Sequence, residues 1–419
     1  MSGRRDSKNR KLNKGEYQRA DGRYAYRYVD SAGDERWIYS WKLTATDRVP
    51  EGKTCGPCLR DMEVEIQRDL ADGINVFKSK QKTLNDCFES YMKVHSKLKE
   101  RTKLNYRRMW RCHVERAIGR KYVGDILHSD VLYFLTSLIE DKGLAIGTVE
   151  AIQILVHAVL KLAVRDNLVR TNQSEGAMKE IVGSDCTEKK KHALTIAEQQ
   201  TFIKFLEDRP KYRRWYRLFI FLLGTGCRIG EASGLRWSDC DFENGLISIN
   251  QQVGLYRKEG DTRYKYHVDS PKTESGIRVI PMLDAVRQVL IEERTSQNEI
   301  QVKNKALKEY DGFVFRTKTG HCLDNGSVTS ALKRIIQNYN LIEEEFSRRE
   351  GRAPFFLPNF TTHDLRHTFC TRLCENETNL KTIQDVMGHS NIETTMNIYN
   401  EATLDTKITS FRNLEGKIV

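Results

Sequence analysis

The sequence TTHDLRHTFCTRLCENETNLKTIQDVMGHSNIETTMNIYN occupies residues 361–400 and contains four side chains of related chemistry. His363 and Arg366 lie three residues apart, so they share one face if the segment is helical. His389 and Tyr399 follow after a short predicted helix and a polar turn. An arginine can hold a phosphate with two parallel hydrogen bonds, an imidazole can move a proton, and a phenol can act as a nucleophile beside a base. This combination indicates chemistry on a phosphate ester.

Two upstream segments add further charged residues. Residues 222–232 read LLGTGCRIGEA, where Arg228 follows a glycine turn and Glu231 lies one helical turn later. Residues 271–281 read PKTESGIRVIP and place Lys272 in a turn before a predicted strand. The candidate catalytic set comprises Arg228, Lys272, His363, Arg366, His389 and Tyr399, with Glu231 in a supporting role.

These motifs closely resemble those of the tyrosine recombinases, the phage-type integrase family. The matching elements are G-T-G-x-R-I-G-E, P-K-T before a strand, H-D-L-R-H-T, M-G-H-S and the final tyrosine. Each motif is weak alone, but five of them in this order across about 180 residues form a specific signal. The resemblance covers roughly residues 193–405 closely and the preceding helical region in organisation. The N-terminus resembles, less specifically, the integrases of conjugative transposons, whose arm-binding domain is a three-stranded sheet.

The resemblance implies a covalent reaction on DNA. Tyr399 is expected to attack the scissile phosphate and form a 3′-phosphotyrosyl bond, which releases a 5′-hydroxyl. Arg228 and Arg366 are expected to hold the non-bridging oxygens, and each such contact is commonly worth a few kcal/mol in the transition state. Lys272 is expected to protonate the leaving 5′-oxygen. The enzyme would thus be a DNA strand-transferring recombinase that rejoins strands without ATP.

The other motif residues are expected to move protons and to orient the phosphate. The resemblance implies that His363 accepts a proton near Tyr399 and that His389 donates a hydrogen bond to the phosphate. Glu231 is expected to orient the arginine or histidine cluster, and the neighbouring His367 is interpreted as a packing or supporting residue. Because side chains supply the positive charge, the resemblance implies neither a metal nor another cofactor.

The expected biological role is the integration and excision of a mobile element, most like a conjugative transposon. The expected partners are double-stranded DNA, namely core and arm sites and target DNA, and further copies of the chain in a tetrameric synapse. An excisionase is a further candidate partner. The nearest alternative is a prophage integrase. A type IB topoisomerase and a catalytically silent DNA-binding regulator are the alternatives from other classes.

The charge balance indicates the same kind of partner. The 419 residues include 69 Lys and Arg against 57 Asp and Glu, which gives a net charge of +12 and an isoelectric point near 9.1. A basic balance favours nucleic acid or an acidic membrane surface. No run reaches the roughly 18 apolar residues of a membrane span, and the N-terminus lacks the apolar core of a signal peptide. These features predict a cytoplasmic protein that does not bind membranes.

The predicted fold class is multidomain, mainly α with small β elements. Hydrophobic periodicity, turn residues and charge runs divide the chain. The predicted divisions are an arm-type DNA-binding domain at 1–75, a helical core-binding domain at 80–172, a linker at 173–194, an α+β catalytic domain at 195–405 and a C-terminal tail at 406–419.

Residues 15–42 alternate as strands do, with a strong hairpin signal at Asp21-Gly22. The pattern predicts three antiparallel strands followed by a helix near 57–72. Nine basic and three acidic residues between positions 1 and 27 give a local charge of +6. A small basic sheet can enter the major groove. The predicted DNA contacts are Arg19, Arg23 and Arg27, and the alternative is that the aromatic residues only form a small core.

Residues 80–172 predict helices and contain no candidate for enzyme chemistry. One helix starts at Thr83, and others are expected near 100–117, 129–141 and 146–166. The second has a density of cations that favours phosphate contacts over a merely solvated face. The predicted contacts are Lys97, Lys99, Arg101, Lys103, Arg107, Arg108 and Arg111.

The catalytic region mixes helices with short strands. The expected strands are 246–253 and 277–281, separated by a charged hairpin at 254–266 and the Lys272 turn. The expected helices are 195–207, 211–224, one starting near Arg228, 283–296, 327–339, 363–375 and 379–387. Residues 405–419 carry apolar side chains at helical spacing, and in related recombinases such a segment often docks on a neighbouring protomer.

Ten cysteines in a chain without an export signal are expected to be reduced. Cys55 and Cys58 match the spacing of a redox motif, but a polar loop and an amphipathic helix flank them instead of a βαβ domain. A zinc site would need a second ligand pair, and Cys112-His113 is a poor candidate for it. The Cys55 and Cys58 pair is therefore interpreted as a turn before a helix.

Overall fold

The computed structural model divides into two compact units, residues 1–187 and 188–419. The first unit holds a small sheet domain and a helical bundle, and the second holds the candidate catalytic residues. The predicted C-terminal tail lies outside the described residues. The structure describes residues 4–30, 33–73, 79–182, 193–258, 260–271, 273–303, 310, 312–317, 319–377 and 379–401.

The first unit begins with the three-stranded antiparallel sheet that the sequence predicts. Strands β1 (Glu16–Gln18), β2 (Tyr24–Val29) and β3 (Glu35–Ser40) pair in that order, and helix α1 (Leu59–Ala71) packs against β2 and β3. Gly22 has a φ of 86° between β1 and β2, a conformation that glycine adopts without a steric penalty. The core between sheet and helix consists of Leu12, Tyr24, Tyr26, Tyr28, Leu43, Leu59 and Ile66.

A bundle of helices follows in the same unit. Its members are α2 (Leu84–Val94), α3 (Glu100–Met109), α4 (His128–Glu140), α5 (Ile146–Arg165) and α6 (Ala177–Val182). Helix α5 is the one described helix long and apolar enough to cross a membrane by length and composition. One face of α5 supplies seven buried residues to the core of the bundle, which accounts for its apolar character.

Helix α3 passes into a single wide turn at Trp110–Val114. The Trp110 ring stacks on Phe88 with 4.2 Å between ring centroids, and its indole N–H donates to Asn85 Oδ1 at 2.8 Å. These contacts hold Trp110 in the core while the backbone bonds change to a spacing of five residues. The predicted helix near 100–117 is therefore interrupted in its middle.

The bundle extends into the segment 173–194 that the sequence assigns to a linker. The His128 ring contacts the Gln173 carbonyl oxygen at 2.6 Å and Glu180 Oε1 at 3.0 Å. These contacts attach α6 to α4, so the first part of the predicted linker packs on the bundle. Residues 183–192 lie outside the described residues.

Eight helices are described in the second unit. They are α7 (Ile196–Glu207), α8 (Arg213–Thr225), α9 (Ile229–Gly234), α10 (Asp284–Lys303), α11 (Asn325–Glu350), α12 (Thr362–Asn376), α13 (Leu380–Met387) and α14 (Ile392–Glu401). Helix α8 packs against α7, α10 and α12. Its apolar side chains, including Phe219 and Phe221, lie in the main core. The core therefore holds the two helices that carry the 222–232 and 361–366 motifs.

Five short strands accompany these helices: β4 (Cys240–Asp241), β5 (Leu246–Ile249), β6 (Gln252–Tyr256), β7 (Lys265–Asp269) and β8 (Arg278–Pro281). The first sheet has the order β4-β5-β8, and β6 pairs with β7 as a hairpin. The single strand predicted over 246–253 is thus two strands in different sheets. Between these two strands, the Gln251 side chain donates to the Gly234 carbonyl oxygen at 2.7 Å.

Helix α11 is longer than the sequence predicts. The expected end was at residue 339, but the helix runs to Glu350 and ends at Gly351, which has a φ of 67°. The following segment folds back and supports the added turns. Arg352 Nη2 donates to Glu343 Oε2 at 3.1 Å, and the Phe355 backbone N–H donates to Glu343 Oε1 at 2.9 Å.

Candidate active site

Arg228 and Glu231 meet at the start of helix α9. The Arg228 backbone N–H donates to Glu231 Oε2 at 3.0 Å, and its Nη1 donates to Glu231 Oε1 at 2.8 Å. A glutamate three residues into a helix reaches back to the first residue in this way. The side chain of Glu231 is 2% exposed, whereas that of Arg228 is 41% exposed. Arg228 is therefore anchored at one end and remains accessible to a ligand.

A second arginine, Arg278 on β8, contacts the same carboxylate. Its Nη2 donates to Glu231 Oε2 at 2.9 Å, its Nε to the Val386 carbonyl oxygen at 2.7 Å, and its Nη1 to the Gly276 carbonyl oxygen at 3.1 Å. Burial alone would raise the pKa of Glu231, but the Arg278 charge and the hydrogen bonds from both arginines hold this pKa below its ordinary value. Glu231 is therefore ionised and bridges two guanidinium groups.

Arg366 lies in helix α12 and is only 3% exposed. Its Nη1 donates to the Gly226 carbonyl oxygen at 2.7 Å, and its Nη2 donates to the Met387 carbonyl oxygen. No carboxylate among the described residues forms an ion pair with it. Burial first, and then the charge of Arg228, lowers the pKa of Arg366 to about 10, so the guanidinium is still protonated at neutral pH. A buried cation that bonds directly only to carbonyl oxygens favours the binding of an anion.

Two motif glycines allow these segments to approach each other. Gly226 ends α8 with a φ of 62°, and a Cβ there would lie 2.3 Å from the Phe369 ring. Gly388 ends α13 with a φ of 63°, and a Cβ there would lie 2.8 Å from the Ser275 carbonyl oxygen and 3.1 Å from Arg278 Cδ. Both the left-handed backbone and the lack of space require glycine. The M-G-H turn therefore packs directly on the turn that precedes β8.

His389 follows Gly388 and is buried. Its Nδ1 lies 3.0 Å from Thr395 Oγ1, on helix α14, and Thr395 is fully buried. Tyr399 lies four residues after Thr395 in the same helix, so the two backbone positions share one helix face. Helix α14 packs against α12 and α13. The hydrogen bond of His389 therefore fixes the segment that carries Tyr399.

The electrostatic environment of His389 is strongly positive. Burial first, and then the charges of Arg366, Arg228, Arg278 and His363, lower the pKa of His389 to about 4. The imidazole is therefore neutral at pH 7 and can donate one hydrogen bond and accept another. The same charges show that the three arginines and both histidines lie in one electrostatic environment.

The remaining predicted residues are described less fully. His363 is exposed in the first turn of α12, where its backbone N–H donates to Thr361 Oγ1 at 3.2 Å. His367 is buried in the same helix. Lys272 and the side chain of Tyr399 lie outside the part of the chain that the structure describes.

The described centre carries three guanidinium groups against one carboxylate, a net charge of +2. The two cations beside Glu231 share its single negative charge, and Arg366 bonds only to carbonyls among its described partners. Arginine forks match the geometry of phosphate oxygens. The site is therefore suited to an anion of the charge and shape of a phosphate diester.

The N-terminal sheet has a second face, opposite α1. Trp37 and Tyr39 are 43% and 42% exposed there, and Arg27 is the cross-strand partner of Trp37. The guanidinium groups of Arg19 and Arg23 lie 5.2 and 5.6 Å from the centroid of the Tyr39 ring. Arg23 and Arg27 also pair with exposed carboxylates. The three predicted DNA contacts therefore lie among exposed aromatic rings, outside the small core.

The seven predicted cations of the bundle divide into two groups. Lys103 forms an ion pair with Glu100 at 3.6 Å, and Arg107 forms one with Glu89 at 3.4 Å. The others are more exposed: Lys97, Lys99, Arg101, Arg108 and Arg111. The second group presents the more accessible positive charge.

The cysteine pair before α1 consists of one exposed and one buried thiol, Cys55 and Cys58. Burial raises the pKa of the Cys58 thiol, which makes it less reactive. Within the described ranges, no group of three or more His, Cys, Asp or Glu side chains could hold a metal ion. The position of Cys58 immediately before α1 agrees with a turn before a helix.

Arg278 is the residue of the centre that the sequence analysis did not single out. Strand β8 buries Arg278 and Ile280 and exposes the residues between and after them. A charged residue at a buried strand position needs a partner. The alternation of buried and exposed positions in β8 is therefore the sequence feature that could have indicated a role for Arg278. The partner, Glu231, lies 47 residues away in the sequence.

Comparison with known proteins agrees with this architecture. The profile described as the phage integrase family matches residues 192–405, and the profile described as the DNA binding domain of tn916 integrase matches residues 1–70. The chain belongs to the phage integrase family.

The similarity of this integrase to transposon proteins spans almost the whole chain. The transposases from transposon Tn1545 of Streptococcus pneumoniae and from transposon Tn916 of Enterococcus faecalis are each 33% identical over 411 residues, which covers 98% of this chain and 96% of theirs. The integrase of Staphylococcus phage L54a is 27% identical over 43% of this chain. The comparison therefore favours the transposon over the prophage alternative.

A solved structure shares the fold. The Tn1549 transposon integrase, in complex with transposon right end DNA, matches with a TM-score of 0.66 at 30% identity, covering 80% of this chain and 100% of that chain. The predicted family, fold class and function are confirmed. The protein is a site-specific tyrosine recombinase for the integration and excision of a conjugative transposon.

Proposed function

We propose that this integrase cuts and rejoins DNA through a covalent bond between Tyr399 and a 3′-phosphate. The observation that carries the proposal is the net positive centre, in which Arg366 is buried without a carboxylate partner among the described residues. A phosphodiester repels nucleophiles through its negative charge, and its alkoxide leaving group is poor. A scissile phosphate would supply the missing anion, and the arginines would neutralise its charge.

Each residue then has a defined role in the cleavage step. The Tyr399 oxygen attacks phosphorus and forms the new P–O bond, while the bond from phosphorus to the 5′-oxygen breaks. The phenolic proton passes to His363, and Lys272 gives a proton to the leaving 5′-oxygen. Arg228 and Arg366 hold the non-bridging oxygens.

The remaining groups complete the cycle. His389 donates a hydrogen bond to the phosphate, and Glu231 keeps Arg228 in place. Rejoining reverses the step: a 5′-hydroxyl of the partner strand attacks phosphorus and releases Tyr399. The number of phosphoester bonds is unchanged, so no ATP is consumed. We also propose that the reaction needs no metal, and cleavage should therefore persist in excess EDTA.

The partners proposed for this chain follow from its charged surfaces and its relatives. The Tn1549 integrase binds transposon DNA in its solved structure. Here, the exposed face of the N-terminal sheet is proposed to bind arm sites, and the accessible cations near α3 are proposed to bind core-site phosphates. Further copies of the chain would complete a tetrameric synapse in the cytoplasm, with an excisionase as a further candidate partner.

The decisive experiment uses Tyr399→Phe with a nicked suicide substrate, which traps a covalent adduct. The variant should bind the core site with unchanged affinity, since binding rests on many cations, but it should form no adduct. Tyr339→Phe is the matched control, because the Tyr339 hydroxyl contacts only the Phe355 carbonyl oxygen among its described partners. This control should form the adduct at the rate of the parent.

Two outcomes would overturn the proposal. A denaturant-stable adduct formed by Tyr399→Phe would show that another residue is the nucleophile. A parent protein that binds the core site but forms no adduct would instead support the catalytically silent regulator.

A further inference from the structure

We infer that Arg278 is a positioning residue for the recombination reaction, because one guanidinium joins three of the catalytic motifs. This inference rests on the proposed function, since it assumes that Arg228 holds the scissile phosphate. Arg278 itself is buried, so its expected effect is on other side chains and not on the DNA directly. It acts by fixing other groups.

The contacts of Arg278 reach three separate segments of the chain. Nη2 lies 2.9 Å from Glu231 Oε2 and 3.9 Å from Cys227 Sγ, both in the motif that contains Arg228. Nη1 donates to the carbonyl oxygen of Gly276, at the end of the turn that follows Pro271. Nε donates to the carbonyl oxygen of Val386, two residues before Gly388. Every nitrogen of the guanidinium therefore has a partner.

The first consequence concerns the direction of Arg228. Glu231 has two oxygens: Oε2 accepts from Arg278 and from the Arg228 backbone, and Oε1 accepts from Arg228 Nη1. Because Arg278 fixes Oε2, it also fixes the orientation in which Oε1 faces the Arg228 guanidinium. The Arg228 side chain is 41% exposed and has no other described ion pair to hold it. Without Arg278, Glu231 would keep its bonds to Arg228 but would lose the described hydrogen bond that ties its carboxylate to another part of the chain.

The second consequence concerns the two turns. A Cβ at Gly388 would meet both the Ser275 carbonyl oxygen and the Arg278 side chain, so the M-G-H turn rests on the turn before β8. A Cβ at Gly276 would lie 2.7 Å from Pro271 Cβ, so that turn closes on itself. Arg278 donates one hydrogen bond to Gly276, in the turn before β8, and one to Val386, in the last turn of α13 that leads into the M-G-H turn. His389 is the last residue of the M-G-H turn, and Lys272 belongs to the sequence of the turn before β8.

A purely structural role is the competing explanation, because losing one member of a buried ion pair also destabilises a protein. The two explanations differ in what happens when the charge on the phosphate is removed. A methylphosphonate replaces one non-bridging oxygen with a methyl group and is neutral. If the variant cleaves slowly because Arg228 is misdirected, its rate relative to the parent should be closer to one on this neutral substrate. If it cleaves slowly because less enzyme is folded, the relative rate should be the same on both substrates.

The test measures single-turnover cleavage by the full chain on two suicide substrates, one with a phosphate and one with a methylphosphonate at the scissile position. Arg278→Met should lose at least about 10-fold on the phosphate, approaching the 10²–10³ of a deleted donor. On the methylphosphonate its loss relative to the parent should be within about 3-fold. Arg278→Lys keeps the charge but cannot reach three segments, so it should show the same pattern with a smaller loss.

Arg217→Met provides the matched control. Arg217 is another buried arginine of this unit, and its Nε donates to Glu293 Oε2 at 2.6 Å. This variant should lower the unfolding temperature comparably but keep the same cleavage ratio between the two substrates as the parent. If Arg278→Met does not fold, Arg278→Lys decides the question by its substrate ratio.

The inference is overturned if the Arg278 variants cleave like the parent or lose equally on both substrates. Both results are distinct from a failure of the proposed function, because both are obtained with a parent protein that forms the Tyr399 adduct. A parent without an adduct would contradict the proposed function instead.

Discussion

The exposed face of the N-terminal sheet and the catalytic centre both present arginines, but they hold them differently. On the sheet, Arg19 and Arg23 lie over an aromatic ring at the surface, where such contacts are worth about 0.5–1 kcal/mol. In the centre, Arg278 and Arg366 are buried, and their hydrogen bonds go to defined oxygens. The sheet offers positive charge that can adapt to a ligand, whereas the centre offers charge in a fixed geometry.

This difference matches two physical tasks. Binding along DNA gains from the release of counter-ions, to which each cation contributes roughly equally and independently of fine geometry. Stabilising a transition state requires donors that are already oriented when charge develops. A single substitution should therefore cost little on the sheet and much in the centre.

The largest expected effect is that of Arg366→Lys on cleavage. A lysine keeps the charge but cannot bond to the carbonyl oxygens of Gly226 and Met387 and still hold a phosphate with a fork. We expect cleavage to fall about 10²–10³-fold, with only a modest loss of core-site affinity. Adduct formation in a single turnover and a gel-shift titration measure the two quantities.

Arg209→Lys is a suitable control, because Arg209 lies in the same unit over the Phe205 ring, outside the catalytic motifs. It should leave cleavage unchanged. If Arg366→Lys cleaved within about 3-fold of the parent, the buried charge would suffice without the fork, and the contrast with the sheet would disappear.

An intermediate effect is expected from His389 on the pH dependence of stability. The pKa of His389 is about 4 in the folded chain, against an ordinary value of about 6.5. Between these pH values the unfolded chain binds a proton that the folded chain does not, so the stability contributed at neutral pH is lost as the pH falls. The His389→Gln variant should lack this component, which amounts to about 2 kcal/mol between pH 6.5 and 5.

Unfolding of parent and variant across pH 4–8 tests this expectation, because groups common to both cancel in the difference. The two curves should run parallel above pH 7 and separate below pH 6.5. Curves that stay parallel throughout would mean that neither burial nor the positive centre lowers the pKa of His389.

The sequence predicted the N-terminal sheet domain better than it predicted the contacts that hold the catalytic arginines in place. Local signals suffice for the sheet, because the Asp21-Gly22 turn and the alternation of Tyr24, Tyr26 and Tyr28 encode strands and their register. The catalytic motifs were found through their order, and the glycines at 226 and 388 explain why those motifs meet.

What the sequence did not reveal depends on contacts between distant residues. In the sequence, Arg278 is a single charged residue in a strand. Its role cannot be predicted without its contacts with Glu231 and with the Val386 carbonyl oxygen. The extension of α11 depends on the returning segment that pairs with Glu343. The interruption of α3 depends on the stacking of Trp110 on a different helix. None of these contacts leaves a periodic signal.

The smallest expected effect is that of Arg27→Gln on arm-site binding, and it tests the other side of the comparison. Arg27 is exposed on the free face of the sheet beside Trp37 and pairs with Glu35 at 3.3 Å, an exposed ion pair that DNA can replace at little cost. If Arg27 contacts one phosphate, the slope of log affinity against log salt should fall by about 0.9, with affinity several-fold weaker.

Arg68→Gln makes the same charge change on α1, on the opposite side of the sheet, and should leave the slope unchanged. Both variants should cleave a core-site substrate at the parent rate, since neither change touches the catalytic unit. Equal salt slopes for the two variants would mean that net charge alone attracts the DNA and that the aromatic face has no special role. A cleavage defect in Arg27→Gln would instead show that this face acts on the core site.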